Sequence, residues 1–251
     1  MYTKIKTQDE IQRMRISGKM LAGVLAVLSK NIAPGMTGLD ISSLAKKELK
    51  ALGGKPAFLG YMGFPDVICI SVNEEVVHGI PNNHEFQTGN LVGLDFGVNY
   101  EGMITDSAQT IIVGGKTGKS KKERLVEGTY EALLAGIDVV AHGVRVGDLG
   151  SAIEKKLKSH NFGIVRSLVG HGVGHHVHEE PNIPNYGIKG TGDALKSGMT
   201  IAIEPMATLA GEDVFVKKDG WTVATSDGSP SAHFEHTVLV TDDGFEILTD
   251  E

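Results

Sequence analysis

Four carboxylates stand where apolar residues are expected. Leu91-Val-Gly-Leu-Asp95-Phe-Gly-Val and Gly102-Met-Ile-Thr-Asp106-Ser-Ala-Gln-Thr-Ile-Ile-Val read as strands with an aspartate in each apolar middle. Met199-Thr-Ile-Ala-Ile-Glu204-Pro-Met and His233-Phe-Glu235-His236-Thr-Val-Leu-Val repeat the anomaly with glutamates. Leu168-Val-Gly-His171-Gly-Val-Gly adds an imidazole where glycines let the backbone approach closely. A buried carboxylate left uncompensated costs several kcal/mol, of order 3–5. Two divalent cations neutralise four carboxylates, and a donor set of oxygens with one imidazole suits manganese, iron(II) or cobalt at least as well as zinc. Such a pair of ions activates water and polarises a carbonyl, so hydrolysis is the expected chemistry.

The elements that must carry these residues follow from periodicity. Thr7-Gln8-Asp9-Glu10 is a capping box, and Ile11, Met14, Gly18, Leu21, Leu25 and Leu28 continue as one apolar helical stripe until Pro34-Gly35. A second helix is predicted over 38–52, ended by Gly53-Gly54. Strands follow over 67–72, 91–98 and 102–113, then helices over 121–141 and 147–160. Strands over 164–169, 199–206, 233–240 and 245–248 complete the pattern. The turn Asn99-Tyr100-Glu101-Gly102 predicts a hairpin pairing Asp95 directly with Asp106, with Cβ atoms about 5 Å apart. Shifting the chain by 108 residues lays Ala33–Lys50 on Ala141–Lys158 with seven of 18 positions identical. The expectation is an α+β fold made of two helix-helix-strands halves, about 7–113 and 121–248, in one domain spanning 1–251.

Composition limits the function classes. Of 251 residues, 41% are hydrophobic and 22% charged, as in a packed protein, and 33 are glycine. The longest apolar run, Met20 to Leu28, is short of the roughly 20 residues that span a bilayer. The start, Met1-Tyr-Thr-Lys-Ile-Lys, lacks the apolar core of a signal peptide, and the lone Cys69 fits a reducing compartment, so a cytoplasmic location is expected. A net charge of −7 argues against nucleic-acid binding by bulk electrostatics.

Taken with Asn73-Glu-Glu-Val-Val-His78-Gly-Ile-Pro, His178-Glu-Glu-Pro, Ile203-Glu204-Pro-Met and Phe234-Glu235-His236-Thr, these segments resemble the type I methionine aminopeptidases over nearly the whole chain. The resemblance implies a pita-bread fold, pseudo-twofold around a central antiparallel sheet. It also implies removal of the initiator methionine from nascent chains whose second residue is small. Asp95 would hold one metal, His171 and Glu204 the other, with Asp106 and Glu235 bridging two divalent ions (Co, Mn, Fe(II) or Zn). A bridging hydroxide would attack the scissile carbonyl, with Glu204 as general base, His178 stabilising the oxyanion and His78 near the scissile nitrogen. Phe58, Tyr61, Phe64, Cys69, Val177 and Trp221 match the methionine pocket. Phe58, Phe64 and Val177 depart from the pattern of well-known bacterial members. A monovalent cation near Asn73 and Ser231 belongs to the same resemblance. Nascent N-termini are the expected partner, with a monomer as the expected state. The basic loop Lys116 to Lys122 reads as a solvated turn, or as a ribosome contact. Xaa-Pro aminopeptidases and prolidases share the ligand pattern but carry a further N-terminal domain, for which a first helix at residue 7 leaves no room. A non-catalytic binding protein of the same fold is the other alternative, and its expected loss of ligands is not seen.

Overall fold

A computed structural model describes residues 5–116, 118 and 120–250. Thr117 and Lys119 of the basic loop, the first four residues and Glu251, which the predicted domain includes, lie outside the described residues. The first half runs α1 (Gln8–Asn31), α2 (Gly38–Leu52), β1 (Lys55–Pro56), β2 (Ile68–Val72), β3 (Glu75–Val77), β4 (Leu91–Tyr100) and β5 (Met103–Ile112). The second opens with α3 (Lys121–Ile137), α4 (Val146–Ser159), β6 (Gly163–Ile164), β7 (Val169–Gly172), β8 (Glu179–Pro184) and β9 (Thr200–Ile203). It closes with β10 (Met206–Thr208), β11 (Val214–Val216), β12 (Val223–Thr225), β13 (Ser231–His233), β14 (His236–Val240) and β15 (Phe245–Ile247). Among the described residues, no helix is long and apolar enough to cross a membrane.

The predicted caps and stripes form. Thr7 and Glu10 exchange the capping-box bonds, and every residue of the α1 stripe is buried. Gly53 ends α2 at φ 81°, a left-handed backbone that a β-carbon would strain. Each helix pair covers its own apolar core. Leu21, Leu28, Ile41 and Phe96 belong to one, and Leu125, Leu133, Ile153 and Ile203 to the other. α3 stops at Ile137 rather than reaching 141, because Val139-Val140-Ala141 leads into the turn through Gly143, at φ 85°.

The repeat is visible bond by bond. Gly35 N–H donates to Phe86 O and Leu39 N–H to Asn82 O, and Gly143 and Gly147 make the matching bonds to Leu195 and Thr191. Further on, Gly89 donates to Val113 and Val113 to Asn90, as Gly198 does to Val240 and Val240 to Met199. β4 therefore matches β9, and β5 matches β14, with β2 and β7 as their antiparallel neighbours.

Four sequence expectations need correction. The β4–β5 hairpin pairs Asp95 with Ala108 and Gly97 with Asp106, two residues from the predicted register. Glu101 and Gly102, at φ 48° and 86°, form the turn, because glycine best tolerates positive φ. A two-residue shift preserves the faces, so the aspartates are diagonal rather than opposite neighbours. The predicted strand 199–206 breaks at Glu204-Pro205 into β9 and β10, which lie in different sheets. Proline has no N–H for a ladder, and Asn185 Nδ2 donates to Glu204 O at 3.0 Å. The predicted strand 233–240 likewise breaks at Phe234-Glu235 into β13 and β14, and 164–169 resolves into β6 and the start of β7. Glu204 and Glu235 thus stand at strand breaks, whereas Asp95 and Asp106 lie within strands.

Candidate metal centre and substrate pocket

Beside the acids the halves meet at a β-bridge, in addition to the pairing of β3 with β12. Ala108 and Glu235 exchange both backbone bonds, at 3.3 and 2.8 Å. On one side, Thr237 Oγ1 accepts from Asp106 N–H and donates to Asp106 O; on the other, Thr110 Oγ1 does the same for His233. These clamps fix the backbones that carry Asp106, His233 and Glu235. One donor atom from each of Asp106, His171 and Glu235 lies within 4.8 Å of the other two. Glu204 Oε1 is 3.4 Å from His171 Nε2, and Asp95 lies close enough to Asp106 and Glu204 for their charges to raise its pKa.

The centre is largely buried and under-partnered. Asp106, His171 and Glu235 are 4%, 6% and 2% exposed. Burial raises all four carboxyl pKa values, with mutual repulsion adding at Asp95, Asp106 and Glu235; Asp106 and Glu204 are pushed up to about 8. Among the described residues, Asp95 Oδ1, Asp106 Oδ1 and Glu235 Oε1 are buried without a hydrogen-bond partner. His171 Nδ1–H donates to Gly172 O at 2.9 Å, which turns its Nε2 lone pair toward the carboxylates. Acceptors facing acceptors with no donor between them fit a cation. Gly170 makes room for this packing, since a Cβ there would collide with Ala202 O.

A cavity of about 440 Å³ opens beside the acids. Every residue singled out from the sequence as ligand, catalytic or pocket residue lines it. Phe58, Phe64, Cys69 and Val177 form an apolar cluster with Tyr61 and Trp221 packed against it. Phe64 and Trp221 meet edge to face with centroids 5.2 Å apart, so Trp221 is a wall and not merely a surface loop residue. Burial, then the nearby acids, pushes the Cys69 thiol well up, leaving it an apolar liner. At the mouth, Tyr61 Oη lies 2.9 Å from His178 Nδ1, and the His178 ring stands edge-on to His171 at 4.4 Å. His78 follows β3 at φ 59°, a backbone state non-glycine residues rarely adopt. Burial, then His233 and His178, lowers its pKa to about 4; burial also lowers that of His178.

Two roles escaped sequence reasoning. Tyr61 was assigned to the pocket alone, without its bond to His178. His233 was read only as the start of a strand. Yet it is 3% exposed, with Nε2 3.4 Å from Glu204 Oε2. The available signal is its place two residues before Glu235.

Residues 12–242 match metallopeptidase family M24, and the chain belongs to that family. Relatives it matches end to end are methionine aminopeptidases. That of Mycoplasma capricolum subsp. capricolum is 42% identical over 98% of this chain and 97% of its own length. Methionine aminopeptidase 1 of Bacillus subtilis is 41% identical, covering 97% of this chain and 98% of its own. The crystal structure of the Thermotoga maritima methionine aminopeptidase matches with a TM-score of 0.96 at 46% identity, covering 99% of this chain and 100% of that one. The fold is therefore the expected α+β pita-bread fold. The prolidase of Pyrococcus furiosus matches 98% of this chain but only 65% of its own, with a TM-score of 0.79 at 25% identity.

Proposed function

We propose that this chain is a metal-dependent aminopeptidase that removes the initiator methionine from nascent proteins with a small second residue. The observation that carries the reading is the convergence of four acids, Asp106 and Glu235 buried and Asp95 and Glu204 half-buried, and His171 beside an apolar cavity. In this reading Asp95 would help hold one divalent ion, His171 and Glu204 a second, and Asp106 and Glu235 would serve both. Bound there, a pair of divalent ions supplies an activated water and a polarised carbonyl; their native identity among cobalt, manganese, iron(II) and zinc is part of the test.

The remaining chemistry belongs to the chain. The cavity takes the unbranched thioether against Phe58, Phe64, Cys69, Val177 and Trp221, where sulfur–aromatic contacts contribute about 0.3–1.5 kcal/mol. Glu204 accepts the proton of the attacking water. The Tyr61 hydroxyl donates to His178 Nδ1, so His178 carries its proton on Nε2 and donates to the oxyanion. His78, neutral at physiological pH, accompanies the scissile nitrogen. Ser231 Oγ donates to Asn73 O and Glu75 O, at 3.2 and 2.9 Å, and the expected monovalent cation would bind near these oxygens.

The chain works as one catalytic unit whose halves share a single site. A cytoplasmic, monomeric enzyme meeting nascent N-termini, with the basic turn from Lys116 as its ribosome contact, completes the reading. Met-Ala-Ser and an Ala-Pro peptide, offered with and without Mn²⁺, test it. Metal-dependent methionine release with the Xaa-Pro bond intact is expected. Cleavage of the Xaa-Pro peptide alone would move the assignment to the prolidase side, and no cleavage of either would leave a binding protein.

A further inference from the structure

Glu204 stands between two imidazoles, one at each carboxylate oxygen. His171 Nε2 is 3.4 Å from Oε1, and His233 Nε2 is 3.4 Å from Oε2. The two rings are not equivalent. His171 spends its Nδ1 proton on Gly172 O and lines the cavity; His233 is not among the cavity-lining residues. His233 Nε2 is buried and has no hydrogen-bond partner among the described residues. Its backbone is clamped at both N–H and O by Thr110 Oγ1, each at 2.9 Å, and paired with Met206 across β10. With its backbone held, the ring is left only side-chain rotation. A small rotation of the Glu204 carboxylate brings Oε2 to ordinary bonding distance, about 2.7–3.2 Å.

The repeat sharpens the point. The matched bonds at Gly89 and Gly198, and at Val113 and Val240, pair Asp95 with Glu204 and Asp106 with His233 as counterparts. Thr237 clamps Asp106 as Thr110 clamps His233. One half thus delivers a carboxylate at the position from which the other delivers an imidazole.

We propose that His233 is a positioning residue for Glu204: its Nε2–H donates to Oε2 and so presents Oε1, together with His171 Nε2, to a divalent cation. Hydrogen bonds that orient a ligand carboxylate are worth roughly 10–100-fold in metal affinity. The proposal rests on Glu204 being a metal ligand, and its test is read first in binding rather than in turnover.

The experiment compares wild type, His233→Leu and His233→Gln, each stripped with EDTA and titrated with Mn²⁺ by calorimetry. Leucine fills the space without a donor; glutamine keeps an N–H₂ that can reach Oε2. His233→Leu is expected to bind the more affected Mn²⁺ ion 10–100-fold more weakly and to lose a comparable factor in kcat with KM within about twofold. His233→Gln is expected to stay within about threefold of wild type. Wild-type Mn²⁺ affinity in a folded His233→Leu variant overturns the proposal, as does a folded His233→Gln variant as weak as the leucine one. If wild-type protein binds Mn²⁺ but releases no methionine, the aminopeptidase reading falls and the calorimetric comparison still decides this one.

Discussion

The two halves share a backbone frame and differ in the side chains hung on it. Matching registers align Ser71 with His171, Asp95 with Glu204, Asp106 with His233 and Ala108 with Glu235. The first half keeps an unbroken hairpin of two ten-residue strands and contributes two short carboxylates directly from it. The second breaks its strands at Glu204-Pro205 and at Phe234-Glu235, and its longer glutamates reach the centre from those breaks. The connections differ too. β2 passes to β3 through Asn73 and Glu74, whereas residues 173–178 join β7 to β8 and deliver Val177 and His178. A twofold frame thus supplies rigidity, and breaking its symmetry supplies distinct roles at one centre.

The sharpest way to break the comparison is on the rigid side. Asp106→Ala removes the carboxylate whose backbone Thr237 of the other half clamps, and should abolish methionine release while lowering bound metal per chain. Metal analysis and peptide assay together check this, and full activity would contradict the assignment. The looser side is tested at His178. His178→Ala should keep its metal yet lose about 10²–10³-fold in kcat if the ring supplies an oxyanion donor. Tyr61→Phe should lose less, because it removes only the bond that sets the His178 tautomer.

The loop carrying His178 is itself pinned from the opposite half. Lys6 Nζ bonds Glu179 Oε2 at 2.8 Å in a pair almost wholly out of solvent, and Glu179 Oε1 accepts from His175 and His176 N–H. Lys6→Met strands that carboxylate and should cost about 3–5 kcal/mol by denaturant melt; adding Glu179→Leu should return much of it. The pH signature follows from the signs. Burial opposes the Glu179 charge, but the bond and charge of Lys6 and the two amides leave its pKa below the usual value. Glu10, bonded by Thr7 N–H and then His175, falls to about 2. Depressed carboxyls contribute stability that is present above the ordinary value, about 4.3, and lost as pH falls through the folded one. Wild type should therefore lose stability progressively from about pH 4 toward pH 2, and Lys6→Met should show a shallower acid limb. The smallest effect is expected at the pocket wall: Trp221→Leu forfeits the edge-to-face contact with Phe64, worth about 0.5–1.5 kcal/mol, and should raise KM several-fold with kcat little changed.

The identity of the site was legible in the sequence, and its exact geometry less so, for a physical reason. A carboxylate inside an apolar run is anomalous whatever its backbone does, so Asp95, Asp106, Glu204 and Glu235 stood out without knowledge of register. Capping boxes and the 3.6-residue stripe are local, which is why α1 and α2 could be bounded closely. Strand breaks are not local. Glu204 leaves the ladder because Asn185, far along the chain, takes its carbonyl, and Pro205 signalled only that something had to give. The hairpin register turned on which of four candidate turn residues carried positive φ. His233 was hidden because a histidine at a strand edge is unremarkable until its partner across the site is known.

Crystals grown with Mn²⁺ and measured at its absorption edge test the account most directly. Two anomalous peaks are predicted, each within about 2.0–2.3 Å of donor atoms from Asp95, Asp106, His171, Glu204 and Glu235. Peaks elsewhere on the molecule, with those five side chains left unligated, would contradict it.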